Sequence, residues 1–312
     1  MEYKNLGRSG LQVSVVGLGC NNFGMRCDYD ASETVVNKAI EQGINLFDTA
    51  DVYGGAGKSE EFLGQILKGR RNDVVIATKF AMKMGEGPHK AGGSRKYIMS
   101  AVEDSLRRLQ TDYIDLYQMH RPDPTVPMEE TLRALDDCVR AGKVRYIGHS
   151  NYAGWQAAEA HYIAQRGGYT PFISAQNEYS LLERNIEREL IPTAKALGLG
   201  ILPYFPLASG LLTGKYRRSA APPPGSRLAK NQRHAQDFLS ERNWRIVGEL
   251  EAFALRRGCT MLELAFGWLL RDPVVASVIA GATTPEQIEQ NVRAADWTPS
   301  AEDLAELDRI TA

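Results

Sequence analysis

The sequence is poor in cysteine and has no cysteine pairing pattern. Four cysteines occur in 312 residues. Cys20, Cys27, Cys138 and Cys259 include no CxxC and no metal-ligand spacing. A disulfide scaffold is not expected at this size, and reduced thiols fit a cytoplasmic protein. No run of about 18 apolar residues occurs, so no membrane-spanning helix is expected. The start, Met1 to Arg8, lacks the basic and apolar regions of a secretion signal. Charge of one sign is also missing, with 37 Lys and Arg against 38 Asp and Glu. That balance leaves no electrostatic footprint for nucleic acid or an anionic membrane. The five histidines, His89, His120, His149, His161 and His234, form no H-x-H or H-E-x-x-H, so no metal centre is expected. A small cofactor and a small-molecule substrate fit this chain better than a macromolecular partner.

The composition is globular, with 43% hydrophobic residues. Residues 2–13 read as a hairpin, with Gly7 and Gly10 between apolar residues. Eight short β-rich runs follow, at 13–18, 44–47, 74–78, 114–119, 144–148, 172–175, 199–203 and 274–279. Helical patterns fall between and after them, at 32–42, 59–68, 95–108, 128–141, 154–166, 185–197, 242–257, 260–271, 285–294 and 301–310. Ser32, Ser59, Ser94 and Asn185 are candidate N-caps. Gly43, Gly142 and Gly198 sit where a left-handed residue closes a helix. Strands alternating with helices pair in parallel. The expected fold is an α/β class (β/α)8 TIM barrel, one domain over 1–312, with an N-terminal hairpin and extra C-terminal helices. An open doubly wound sheet would want a Gly-rich turn after its first strand. Here Gly17-x-Gly19 is followed by Asn22 in place of a third glycine. The long stretch 206–240, with Pro222-Pro223-Pro224-Gly225, reads as a functional loop on the active face.

Chemistry in such barrels collects at the C-terminal strand ends. Those ends carry Asp48 and Tyr53, then Lys79, His120, Ser150 with Asn151, Gln176 with Asn177, Tyr204, and Gly281 with Thr283. Gly54-Gly55-Ala56-Gly57-Lys58-Ser59 imitates a phosphate loop but has Val52 at the first glycine position. Ser59 with Glu60 and Glu61 reads instead as a helix start with acids at its positive end. A tyrosine is a weak acid, with pKa near ~10, and a lysine beside it favours the phenolate. An aspartate can hold that lysine charged, and a histidine can donate to a carbonyl oxygen. Carbonyl reduction needs this set, because hydride addition creates an alkoxide that must be protonated. Each residue taken alone also has a plain structural use, as a turn cap, a solvated lysine, a packed ring or a rim histidine.

The segments Asp48-x-x-x-x-Tyr53-Gly54, with Ser59-Glu60 and Leu63-Gly64 after it, and Leu106-Arg107-Arg108-Leu109-x-x-Asp112-Tyr113-Ile114-Asp115-Leu116-Tyr117-x-x-His120 resemble signatures of the aldo-keto reductase superfamily. The bacterial and potassium-channel-β-subunit-like branches are the nearest in kind. Gly142 to Gly148, Ser150-Asn151, Gly210 to Tyr216, and Gly281-Ala282-Thr283 with Gln287 and Asn291 resemble further family segments, so the likeness runs from about residue 3 to 310. The resemblance implies an NADPH-dependent reductase of aldehydes or ketones, with NAD(H) as the lesser cofactor. It implies Tyr53 as general acid, tuned by Lys79 and Asp48, with His120 orienting the carbonyl. Ser150, Asn151 and Gln176 would hold the carboxamide, and Tyr204 would stack on the nicotinamide. Phe205, Pro206, Leu207, Gly210, Leu212 and Lys215 would run along the pyrophosphate. Gly281, Thr283, Gln287 and Asn291 would hold the adenosine end. A cofactor-bound sensor or accessory subunit with slow turnover is the competing class. Phe205 stands where the family often has serine, His149 where an apolar residue is commoner, and no arginine occurs in 281–291. His149 reads as a buried, hydrogen-bonded residue. Candidate substrate contacts are Asn21, Asn22, Phe23, Met25, Phe80, Met82 and the 83–94 loop. Arg95 and Lys96, in the first turn of a helix capped by Ser94, are unfavourably placed cations. Either they reach into water, or the loop folds over an anionic substrate.

Overall fold

The computed structural model describes residues 1–218, 220–223, 226–230 and 238–312. Pro224, Gly225 and His234 lie outside these residues. β1 (Tyr3–Asn5) and β2 (Gln12–Ser14) form the expected antiparallel hairpin. Eight parallel strands then curl into the barrel: β3 (Val16–Gly19), β4 (Leu46–Asp48), β5 (Val75–Phe80), β6 (Ile114–Met119), β7 (Val144–Ser150), β8 (Phe172–Gln176), β9 (Gly200–Ile201) and β10 (Val278–Gly281). β10 pairs β3, and Ile201 bridges to Val275 from the other edge, which brings the two ends of the sheet together.

Apolar side chains fill two places, as alternation along a parallel barrel requires. Inside the barrel lie Leu46, Val75, Ala77, Leu116, Leu202 and Ile279, plugged from below by Leu6 and Val13 of the hairpin. The larger cluster packs the outer strand faces against the helices. Gly7, at φ +59°, lets the hairpin sit against the barrel floor, since a Cβ there would lie 2.5 Å from the Ile173 carbonyl oxygen.

The helix ends differ from the sequence reading in three places. Asp28, not Ser32, caps the first helix (Tyr29–Glu41), its Oδ1 accepting from the Ala31 N–H at 3.0 Å. Ser59 lies inside the helix Lys58–Ile66; its hydroxyl donates to the Cys20 carbonyl and accepts from Thr49, tying that helix to β3 and the loop after β4. Asn185 opens only a single 3-10 turn, and the helix starts at Leu190. Pro192, which lacks an N–H, then falls in the first turn, where none is needed. Ser94 caps its helix as expected, and Gly43, Gly142 and Gly198 all take positive φ. Among the described residues no helix is long and apolar enough to cross a membrane, and no cluster of His, Cys, Asp or Glu is arranged to hold a metal.

Candidate active site

Period-2 alternation carries the barrel's inward-facing rows from apolar to polar. Leu46 is followed inward by Asp48, Val75 and Ala77 by Lys79, and Leu116 by Gln118 and then His120. The polar ends of three adjacent strands therefore meet at the C-terminal rim. Lys79 is fully buried and Asp48 is 3% exposed. The Lys79 ammonium donates to both carboxylate oxygens of Asp48, at 2.8 and 2.7 Å, and to the Thr49 carbonyl at 2.9 Å. It lies 5.1 Å from the centre of the Tyr53 ring. Tyr53 begins the turn after β4 and meets the His120 ring edge-on, with centroids 5.8 Å apart. Tyr53, Asp48, Lys79 and His120 thus form one constellation.

Burial raises the Tyr53 phenol above its ordinary value, and the nearby Lys79 offsets this only in part. The sequence reading expected a net lowering; desolvation of the phenolate outweighs the ammonium. Tyr53 therefore keeps its proton at neutral pH. Burial works against the charged form of Lys79, but Asp48 and Tyr53 outweigh it and hold Lys79 above the usual lysine range. His120 is pushed down to about 3 by burial, then by Lys79 and Arg121, so it is neutral. Its Nδ1 is buried without a hydrogen-bond partner among the described residues.

A cavity of about 650 Å³ opens above this constellation. Its wall includes Asp48, Tyr53, His120, Ser150, Asn151, Gln176 and Tyr204, and continues along Phe205, Pro206, Leu207, Gly210 and Lys215 to Gly281, Thr283 and Gln287. Two of the expected contacts are not in it. Leu212 is turned into the main core, and Asn291 is buried at 5% exposure, while its neighbour Gln290 lines the wall. Several of the polar groups hold one another. Gln176 donates its amide to Asp48 at 2.8 Å. The Asn151 amide donates to the His120 carbonyl at 2.9 Å and accepts from the Tyr204 hydroxyl at 2.7 Å. Ser150 donates to the Gln176 carbonyl. Thr283 donates its N–H to the Gln287 side chain at 2.8 Å.

Asn21, Asn22 and Met82 line the cavity, whereas Phe23 and Phe80 are core residues and Met25 is exposed. The loop after β5 lies elsewhere. Met84, His89 and Lys90 wall a separate 190 Å³ pocket with Asp51 and Tyr97. Burial first, then Glu60, raises the Asp51 carboxyl to about 7. Of the two cations at the start of the next helix, Arg95 finds anions in the chain itself. Glu130 accepts from the Arg95 N–H, and Asp137 pairs with the Arg95 guanidinium. His149 is buried but has no hydrogen-bond partner among the described residues, contrary to expectation. It packs on the Tyr152 ring at 4.5 Å, and burial lowers it to about 3.

Sequence reasoning missed Arg26, Arg121 and Arg227, all in the cavity wall, whereas Ser209 and Thr213 in the same wall fall within the stretch 205–215 expected along the pyrophosphate. Only Arg121 had a local signal, its place next to His120. Phe205, at φ +51°, offers its ring to the Arg227 guanidinium, 4.6 Å away.

The sequence profile of the Aldo/keto reductase family matches residues 15–312. The chain belongs to this family. It is 39% identical to a probable voltage-gated potassium channel subunit beta of Oryza sativa subsp. japonica, over 96% of this chain and 92% of the relative. It is 38% identical to the uncharacterized oxidoreductase YrpG of Bacillus subtilis (strain 168), over 99% and 96%. It is 35% identical to L-glyceraldehyde 3-phosphate reductase of Escherichia coli (strain K12), over 99% and 92%. This family member is an oxidoreductase acting on the carbonyl–alcohol pair.

Proposed function

We propose that the protein, acting as a single barrel domain over 1–312 in the cytoplasm, reduces an aldehyde or ketone with NADPH, and that Tyr53 supplies the proton. The observation that carries this is the shared cavity, with a protonated Tyr53 and neutral His120 at one end and a group of cations at the other. Lys215 and Arg227 are both lowered, by burial and then by the like charge of Arg26, and neither has an ion pair among the described residues. The Ser209 hydroxyl beside them is buried without a described partner. Groups of this kind suit the phosphates of a dinucleotide. Lys215, Arg227, Ser209 and the backbone of 205–210 would hold the pyrophosphate, with Gly281, Thr283 and Gln287 at the adenosine end. Gln176 would accept from the carboxamide through its free oxygen, and Tyr204 would support the ring. When bound, the dihydronicotinamide supplies the hydride.

His120, being neutral, donates a hydrogen bond to the substrate carbonyl oxygen and polarises it. Tyr53 passes its phenolic proton to that oxygen as negative charge develops there. Lys79 stabilises the phenolate that remains, and Asp48 keeps Lys79 in place. Asn151 fixes His120 and Tyr204 relative to each other. The reverse sequence oxidises an alcohol.

The test is Tyr53→Phe. Turnover should fall by about 10²- to 10⁴-fold, with NADPH binding close to that of the parent by fluorescence titration and tighter than NADH. Substantial residual turnover in Tyr53→Phe would remove Tyr53 as the acid. The likeness to a channel subunit favours a second reading, a slowly turning cofactor-bound accessory subunit. Repeated turnover of a nitrobenzaldehyde with excess NADPH separates the two, since a sensor stops after one slow turn.

A further inference from the structure

Four cations line the large cavity: Arg26, Arg121, Lys215 and Arg227. The carboxylate in the same wall, Asp48, is committed through both oxygens to Lys79. The described wall therefore holds four cations and one carboxylate, and that carboxylate is already committed. The cations fall in two places. Lys215 and Arg227 both feel the charge of Arg26, and Lys215 ends the 205–215 segment. A dinucleotide's phosphates account for this group.

Arg121 stands apart. It directly follows His120 at the end of β6, and its charge acts on both His120 and Tyr204. These residues flank the place where a carbonyl would meet the nicotinamide. Arg121, exposed at the rim, has no hydrogen bond or ion pair among the described residues, although most arginines near it in the chain do: Arg95 pairs with Asp137, Arg107 with Asp104, Arg108 with Glu60 and Arg140 with Asp136. A guanidinium beside the reacting carbonyl, with five donors and no acceptor of its own, matches an oxyanion on the substrate.

We infer that the site takes carbonyl compounds that carry a carboxylate or phosphate group, and that Arg121 grips that group. This rests on the reductase reading of the cavity. The role that the sequence suggested for the loop after β5 passes to Arg121, because Arg95 already has its anions. Binding the oxyanion end through a charge-assisted pair orients the carbonyl toward His120 and Tyr53.

The experiment compares kcat/KM for 4-formylbenzoate and for its methyl ester, which is close in size and neutral, in the parent and in Arg121→Gln. 4-Formylphenyl phosphate forms a parallel arm, to tell phosphate from carboxylate preference. Intrinsic reactivity differs between the aldehydes but cancels in the change of their ratio. The anionic-to-neutral ratio should fall about 10- to 100-fold in Arg121→Gln, the loss expected for a charge-assisted hydrogen bond. Arg121→Lys should keep part of it, since the charge remains without the planar fork. In the parent the ratio should shrink as salt rises. An unchanged ratio in Arg121→Gln, including the case where both substrates lose equally, overturns the inference while the reductase reading stands. Failure of the parent to turn over any of these aldehydes with either nicotinamide overturns both.

Discussion

Lys79→Met removes one charge from the most buried ion pair in the site and keeps a side chain of similar length. In the parent, Asp48 Oδ1 accepts from Lys79, from Gln176 at 2.8 Å and from Gln118 at 3.5 Å, while among the described residues the only hydrogen bond to Oδ2 comes from Lys79 at 2.7 Å. Without the ammonium, a carboxylate at 3% exposure keeps its charge with one oxygen unsatisfied, or must take up a proton. Breaking a buried pair from one side costs about 3–5 kcal/mol. That is a large share of a typical total of about 5–15 kcal/mol. The Asp48→Asn/Lys79→Met double variant leaves no unpaired charge at this place, so it should recover at least about half of the loss. Activity should not follow stability. The double variant still lacks the cation beside Tyr53, and carbonyl reduction should stay about 10²- to 10⁴-fold down in both. Urea unfolding at constant slope measures the first effect, and NADPH oxidation with a reactive aldehyde the second. The reasoning fails if Lys79→Met unfolds within about 1 kcal/mol of the parent, or if the double variant is no more stable than the single one.

Gly64→Ala should destabilise the fold by about 1–3 kcal/mol, because the new Cβ would sit 2.5 Å from the Arg108 carbonyl oxygen and 2.6 Å from the Leu109 carbonyl carbon; an unshifted urea midpoint would show that the two helices can part. His149→Leu addresses acid stability. The folded value of about 3 lies below the usual 6.5, so the neutral form is required, and stability is lost as pH falls from 6.5 toward 3. Each pH unit in that window costs about 1.4 kcal/mol for one histidine. His149→Leu should flatten the acid limb by that share and stay within about 1.5 kcal/mol at neutral pH. An identical acid limb in parent and variant would count against His149 as a source of acid lability.

The sequence by itself determined the order of strands and helices, the barrel class and the rim on which Asp48, Tyr53, Lys79 and His120 stand. These are local matters. A period of two sends Leu46 and Asp48, Ala77 and Lys79, and Leu116 and His120 to one face, and the position of each within its strand sets its height in the barrel. Parallel pairing then makes neighbours of residues 31 apart, as with Asp48 and Lys79. Helix ends were less legible, because Asp28, Ser32 and Ser59 all have capping chemistry and packing chose among them. Only the tertiary structure decided what depends on segments far apart in the chain. It set the Tyr53 proton by burial against the pull of Lys79, and it committed Gln176 to Asp48 and Asn151 to His120 and Tyr204. It also carried Arg227 from a proline-rich stretch into the cavity wall, and gave Arg95 its partners while leaving Arg121 without one among the described residues. Desolvation and charge pairing act through space, and no spacing along the chain records which side chains will share a cavity.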